Sequence, residues 1–182
     1  MKATFYISKR QNGVTLVELL IAIVVLGILV ALALPSFQGV VERKRLEGAT
    51  EKLFADFQFA KSEAIKRNQP VFVSFDDTNQ CYGLSVGASC ACNTAGSCVI
   101  DIERVVKMTE FPNVIINDVA FGAVTYTSFD PRRGTAAAGH VYFTNKYAAG
   151  VKLSSLGKIT VCVPSGGDIP SGTTPLSKYP DC

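Results

Sequence analysis

Three sets of residues have types and spacings that bear on chemistry. The first is a lone carboxylate, Glu18, inside the apolar run GVTLVELLIAIVVLGILVALALP from Gly13 to Pro35. An ionised carboxylate in hydrocarbon costs several kcal/mol, so such a segment keeps one where it has a partner or a task. The second is six cysteines, Cys81, Cys90, Cys92, Cys98, Cys162 and Cys182, all beyond the apolar run. An even count placed there predicts disulfides in an oxidising compartment. Zinc ligands usually come as C-x2-4-C pairs, often with histidine; Cys90-Ala91-Cys92 is too tight and His140 is the sole histidine, so no metal is expected. The third is cationic: between positions 124 and 160, Arg132, Arg133, Lys146, Lys152 and Lys158 face Asp130 alone, a net +4 in 37 residues. Charge of that kind attracts phosphate, and equally serves as a solubilising face.

Catalytic signatures do not accompany them. The sequence has no Walker loop, G-x-S-x-G, H-E-x-x-H or C-x-x-C pattern. His140, between Gly139 and Val141, reads as a surface or packed strand residue. An enzyme is not expected, and no cofactor is implied.

The elements that must position these residues follow from pattern. The 182 residues suit one domain with an N-terminal appendage. The net charge of +3 resides in the leader, because Lys2, Lys9 and Arg10 removed from 18 cations leave 15 against 15 acids. Sixteen uncharged residues run from Leu19 to Leu34. Counted from Val14, the segment spans about 31 Å as a helix, close to a bilayer core. A secretory signal would be shorter and end in a small-residue cleavage site, whereas this run ends at Leu34-Pro35-Ser36. Beyond Pro35, which can kink a helix without ending it, Leu46, Ala49, Leu53, Phe57, Ala60 and Ala64 recur at helical spacing. The pattern predicts a helix to Arg67, stopped by Asn68-Gln69-Pro70. Strands are then expected at 71–75, 82–86, 99–108, 114–116, 124–129, 140–143, 151–153 and 158–163.

The N-terminal residues resemble a known signal. A basic leader ends at Gly13, and Val14-Thr15-Leu16-Val17-Glu18-Leu19 sets the glutamate fifth after it. This is similar to the type III signal of type IV pilins and pseudopilins, with Val14 where phenylalanine is common. The resemblance implies cutting between Gly13 and Val14 by the prepilin peptidase, N-methylation of Val14, and a role for Glu18 in filament assembly. Further along, Phe129-Asp130-Pro131-Arg132-Arg133-Gly134 and the hairpin Leu153-Ser154-Ser155-Leu156-Gly157-Lys158-Ile159-Thr160 resemble the GspH/FimT family of minor pilins and pseudopilins.

That family implies an α+β, type IV pilin-like fold: a long N-terminal helix, transmembrane in its first half, packed on an antiparallel β-sheet domain. The layout is a leader at 1–13, a membrane and filament-core helix at 14–35, its amphipathic continuation at 36–68 and a disulfide-bearing β-rich head at 69–182. The implied role is pilus assembly and priming at the tip, with other minor and major pilins as partners. The chain would sit in the bacterial inner membrane, head in the periplasm, and then in the extracellular pilus. One alternative is DNA uptake, with DNA as partner. Some relatives bind it through a Gly-Arg-x-Arg motif, to which Gly157, Lys158, Ile159 and Thr160 correspond with one cation kept and one replaced by threonine. The other alternative is a type II secretion pseudopilin. The resemblance also implies a C-terminal disulfide loop, Cys162 with Cys182. The other four cysteines allow three pairings, among which Cys81 joined to the 90–98 loop is favoured.

Overall fold

The computed structural model describes residues 13–165 and 172–182, with the side chains of residues 32–36 left undescribed. The leader cations Lys2, Lys9 and Arg10, the side chain of Pro35 and residues 166–171 of the C-terminal tail lie outside the described residues. The chain divides into two compact units, Met1–Gly39 and Val40–Cys182.

One helix, α1 (Leu16–Arg67), runs through the division. Its N-terminus is capped by Thr15, whose hydroxyl accepts the Glu18 N–H at 3.2 Å. Thr15-x-x-Glu18 thus has the sequence form of a capping box, and the carboxylate sits in the first turn, where the helix dipole favours it. The other end closes at Asn68, which takes a left-handed φ of 52°, with Lys66 and Arg67 in the last turn.

The Val40–Cys182 unit has two sheets sharing one core with α1. The first sheet has the order β3 (Val105–Lys107), β2 (Cys81–Val86), β1 (Val71–Asp76), β5 (Tyr126–Phe129). All its pairings are antiparallel. The second orders β4 (Ile115–Ala120), β6 (Gly139–Thr144), β7 (Tyr147–Leu153) and β8 (Ile159–Cys162), again antiparallel, while β9 (Thr174–Pro175) pairs parallel with β7. The helix stripe read from sequence is the core stripe: Leu46, Ala49, Leu53, Phe57, Ala60 and Ala64 are at most 1% exposed. They pack with Val71, Val73 and Phe75 of the first sheet and Val141, Phe143, Val151 and Leu153 of the second.

Three expected strands change extent by more than two residues at one end. The expected strand at 99–108 shrinks to β3 and a 3-10 turn, Met108–Glu110. Arg67 pairs with Asp101, and Arg104 N–H donates to the Cys98 carbonyl, so 98–104 folds back on itself. The strand expected at 114–116 extends to Ala120, with its register slipping between Ile116 and Asp118. β7 begins at Tyr147, four residues before the expected start, because Ala148, Ala149 and Gly150 pair with β6. One side chain joins the sheets: the Gln80 amide accepts the Ile116 N–H at 2.7 Å and donates to the Ile116 carbonyl at 3.0 Å. It thereby closes part of the β4 edge as a strand would.

Candidate functional site

The apolar helix start and the basic turns are built by different means. Gly13 and Val14 are exposed residues just ahead of α1. From Val14 to Val30 the large apolar side chains are at least 50% exposed on every side of the helix, and Glu18 is exposed among them. A helix apolar all round is stable where something apolar surrounds it. Among the described residues no helix is long and apolar enough to cross a membrane, the described side chains of this run stopping at Ala31.

The basic residues separate into two groups. Arg132 and Arg133 sit in the Asp130–Gly134 turn, where Asp130 Oδ1 accepts both of their backbone N–H groups at 2.9 Å. Those bonds, from Arg133 and then Arg132, hold the Asp130 carboxyl below the usual carboxylate range. Lys158 follows the turn between β7 and β8, where Gly157 has a φ of 70° and lies so near the Gly134 carbonyl that a Cβ would collide with it. Lys61 of α1 donates to the Gly157 carbonyl at 2.9 Å and lies against Gly134. The structure therefore brings Arg132, Arg133 and Lys158 onto adjoining turns around Lys61. Sequence reading missed Lys61, since no local pattern ties it to a carbonyl 96 residues away. Lys152 lies opposite Thr160, its amine donating to the Cys182 carbonyl at 2.6 Å. Lys146 precedes the other end of β7, about 20 Å along the strand from Lys152, and does not join the group.

The cysteines form three disulfides: Cys81–Cys92, Cys90–Cys98 and Cys162–Cys182. Cys81–Cys92 staples the 87–98 loop onto β2 and Cys90–Cys98 closes that loop on itself, while Cys90 N–H donates to Ser74 Oγ of β1 at 3.1 Å. Gly83 leaves room for Cys98, since a Cβ there would collide with its sulfur. Asp76, Cys81 and Cys92 have a carboxylate and two sulfurs close together, but both sulfurs are spent in the disulfide. The third disulfide ties down the tail. Lys178 pairs with Glu51 at 3.0 Å and Tyr179 donates to the same carboxylate at 3.1 Å, fixing the tail to α1. These two bonds hold Glu51 below the usual carboxylate range.

The remaining titratable groups are structural in their contacts. Asp56 accepts Lys52 at 2.7 Å and the Tyr82 hydroxyl at 2.8 Å, and burial followed by the Asp56 charge pushes the phenol up. His140 pairs with Asp118 at 2.8 Å and stacks on Tyr142 at 4.3 Å between ring centres.

Comparison with known proteins gives the following. The family described as type II transport protein GspH matches residues 49–167, and the prokaryotic N-terminal methylation motif matches residues 8–34. Among solved structures, the chain is similar to the type IV minor pilin FimU of Pseudomonas aeruginosa strain PAO1, at 20% identity and a TM-score of 0.50, over 77% of this chain and 99% of that one. It is also similar to the minor pseudopilin EpsH from the type 2 secretion system of Vibrio cholerae, at 9% identity and a TM-score of 0.50, over 65% and 97%. At these identities the likeness is one of fold: a long N-terminal helix packed on antiparallel sheets.

Proposed function

As the chain belongs to the GspH family of type II transport proteins, whose members are structural pilins and pseudopilins rather than enzymes, we propose that it is a minor type IV pilin acting in pilus assembly and priming at the tip. The precursor sits in the bacterial inner membrane through residues 14–35, with 36–68 continuing the helix and the head, 69–182, in the periplasm. The prepilin peptidase removes residues 1–13 between Gly13 and Val14, and the new α-amine of Val14 is N-methylated. The observation that carries this reading is an exposed carboxylate, Glu18, on the first turn of a helix apolar on every side. In a bundle of such helices the cationic amine of one subunit can lie beside Glu18 of another, each charge offsetting the other's desolvation. The disulfide-closed tail favours a pilus subunit over a secretion pseudopilin.

The test is Glu18→Ala. The variant is expected to accumulate in the membrane with its disulfides formed, yet be absent from pili sheared off the cell. Recovery in pili at the normal level overturns the reading. Loss of exoprotein release with pili intact, in a strain lacking the chain, moves it to type II secretion.

A second reading, DNA capture, is favoured by the convergence of Arg132, Arg133 and Lys158. It predicts that the full chain binds duplex DNA with an affinity falling steeply in salt, and that Arg132→Ala with Lys158→Ala lowers the log–log salt slope by about 2. Absence of binding at low salt removes this reading.

A further inference from the structure

β3 ends the first sheet, with β2 on one side and, among the described residues, no strand on the other. Leu84 N–H donates to the Arg104 carbonyl and Met108 N–H to the Gln80 carbonyl, each at 2.9 Å. Arg104, Val106 and Met108 therefore turn backbone groups toward β2, and by strand alternation Val105 and Lys107 turn their N–H groups outward. Glu103, two residues ahead of β3 and bridged to Val99, lines the same cleft as Val105 and Lys107. Glu110 and the Cys92–Asn93 loop also line this open cleft of about 390 Å³. Glu103 uses Oε1 to accept the Gly96 N–H at 2.7 Å, which leaves Oε2 available. Lys107 is exposed and holds no ion pair among the described residues.

We infer that this edge pairs with a second copy of the chain, β3 against β3, antiparallel and centred on Val105. Charge selects the occupant. In that register position 103 of one copy faces position 107 of the other, so Glu103 meets Lys107 twice across a two-fold axis while Val105 meets Val105. The strand carries its own complement. The register spans 103–107, of which only Val105–Lys107 form β3, so a ladder this short with two ion pairs makes a weak, concentration-dependent dimer rather than an obligate one. The pairing stands whether or not the chain enters a filament.

The test is sedimentation velocity of the full chain in mild detergent, over a range of protein concentrations. The wild type dimerises. Lys107→Glu sets carboxylates face to face and raises the apparent dissociation constant by about tenfold or more. Glu103→Lys combined with Lys107→Glu exchanges the signs and restores it. Val105→Pro removes the outward N–H while leaving the bonds to β2, and abolishes the dimer. Association through the apolar helix would ignore the signs at positions 103 and 107. The inference is overturned by a wild type that stays monomeric, as a short charged edge guarding against pairing would. It is equally overturned if Lys107→Glu has no effect, or if the double variant stays as weak as the single one.

Discussion

Phe57→Ala is expected to lower the stability of the folded chain by about 3–5 kcal/mol, the usual range for a fully buried phenylalanine. Phe57 is wholly inaccessible and meets two rings edge-on, Phe75 at 6.1 Å and Phe129 at 6.0 Å between centres. Those rings come from β1 and β5, adjacent in the first sheet, so one side chain of α1 seats the helix on two strands at once. Truncation removes the transfer energy of the ring and both edge-to-face contacts. It also leaves a cavity between a helix and a sheet that cannot close independently of the second sheet. The measurement is the denaturant midpoint at unchanged slope. Ile65→Ala, on the same helix but 54% exposed, is the comparison and should stay within about 0.5 kcal/mol of wild type. A Phe57→Ala loss no larger than that of Ile65→Ala would mean the helix is held elsewhere.

Replacing Cys162 and Cys182 together by serine should cost about 2–4 kcal/mol, as expected for cross-linked positions 20 residues apart. Part of this is unfolded-chain entropy, because the tail is rich in glycine and proline. The local consequence is sharper. Leu176, 2% exposed, belongs to the core, and its N–H donates to the Ala148 carbonyl at 3.1 Å beside β9. Val163 donates to the Pro180 carbonyl and accepts from Cys182 N–H, so the cystine holds the last bonds of the strap. Without it, amide exchange at Leu176 and Cys182 should accelerate before that of β6 and β7. If the thermal midpoint and the Leu176 amide both stay as in wild type, the tail is held by Leu176 and the Glu51 contacts, and the disulfide is redundant.

What can be read along a chain is what depends on neighbours along it. The core stripe of α1, its end near Arg67 and the capping form of Thr15-x-x-Glu18 are local, set by helical spacing and by groups within four residues of one another. The apolar run with its single carboxylate and the resemblance it carries are local as well. Strand extent was less legible. Val99 to Met108 has β-branched residues at the right density, yet the Cys90–Cys98 bond and the Arg67–Asp101 pair bend its first part out of the sheet. Conversely, Ala148-Ala149-Gly150 has low strand propensity and joins β7 because β6 pairs with it.

The sequence by itself determined the signal at Gly13–Glu18, the helix and its buried face, the all-β remainder and the oxidised state of the cysteines, since each rests on short-range pattern or composition. Tertiary structure alone decided which cations share a surface, which cysteines among Cys81, Cys90, Cys92 and Cys98 join, and which strand edge is left open. Lys61 reaches Gly157 across 96 residues, and the turns that carry Arg132 and Lys158 abut through Gly134 and Gly157. Such contacts are fixed by how the two sheets close over one helix, a property of the packed core rather than of any segment.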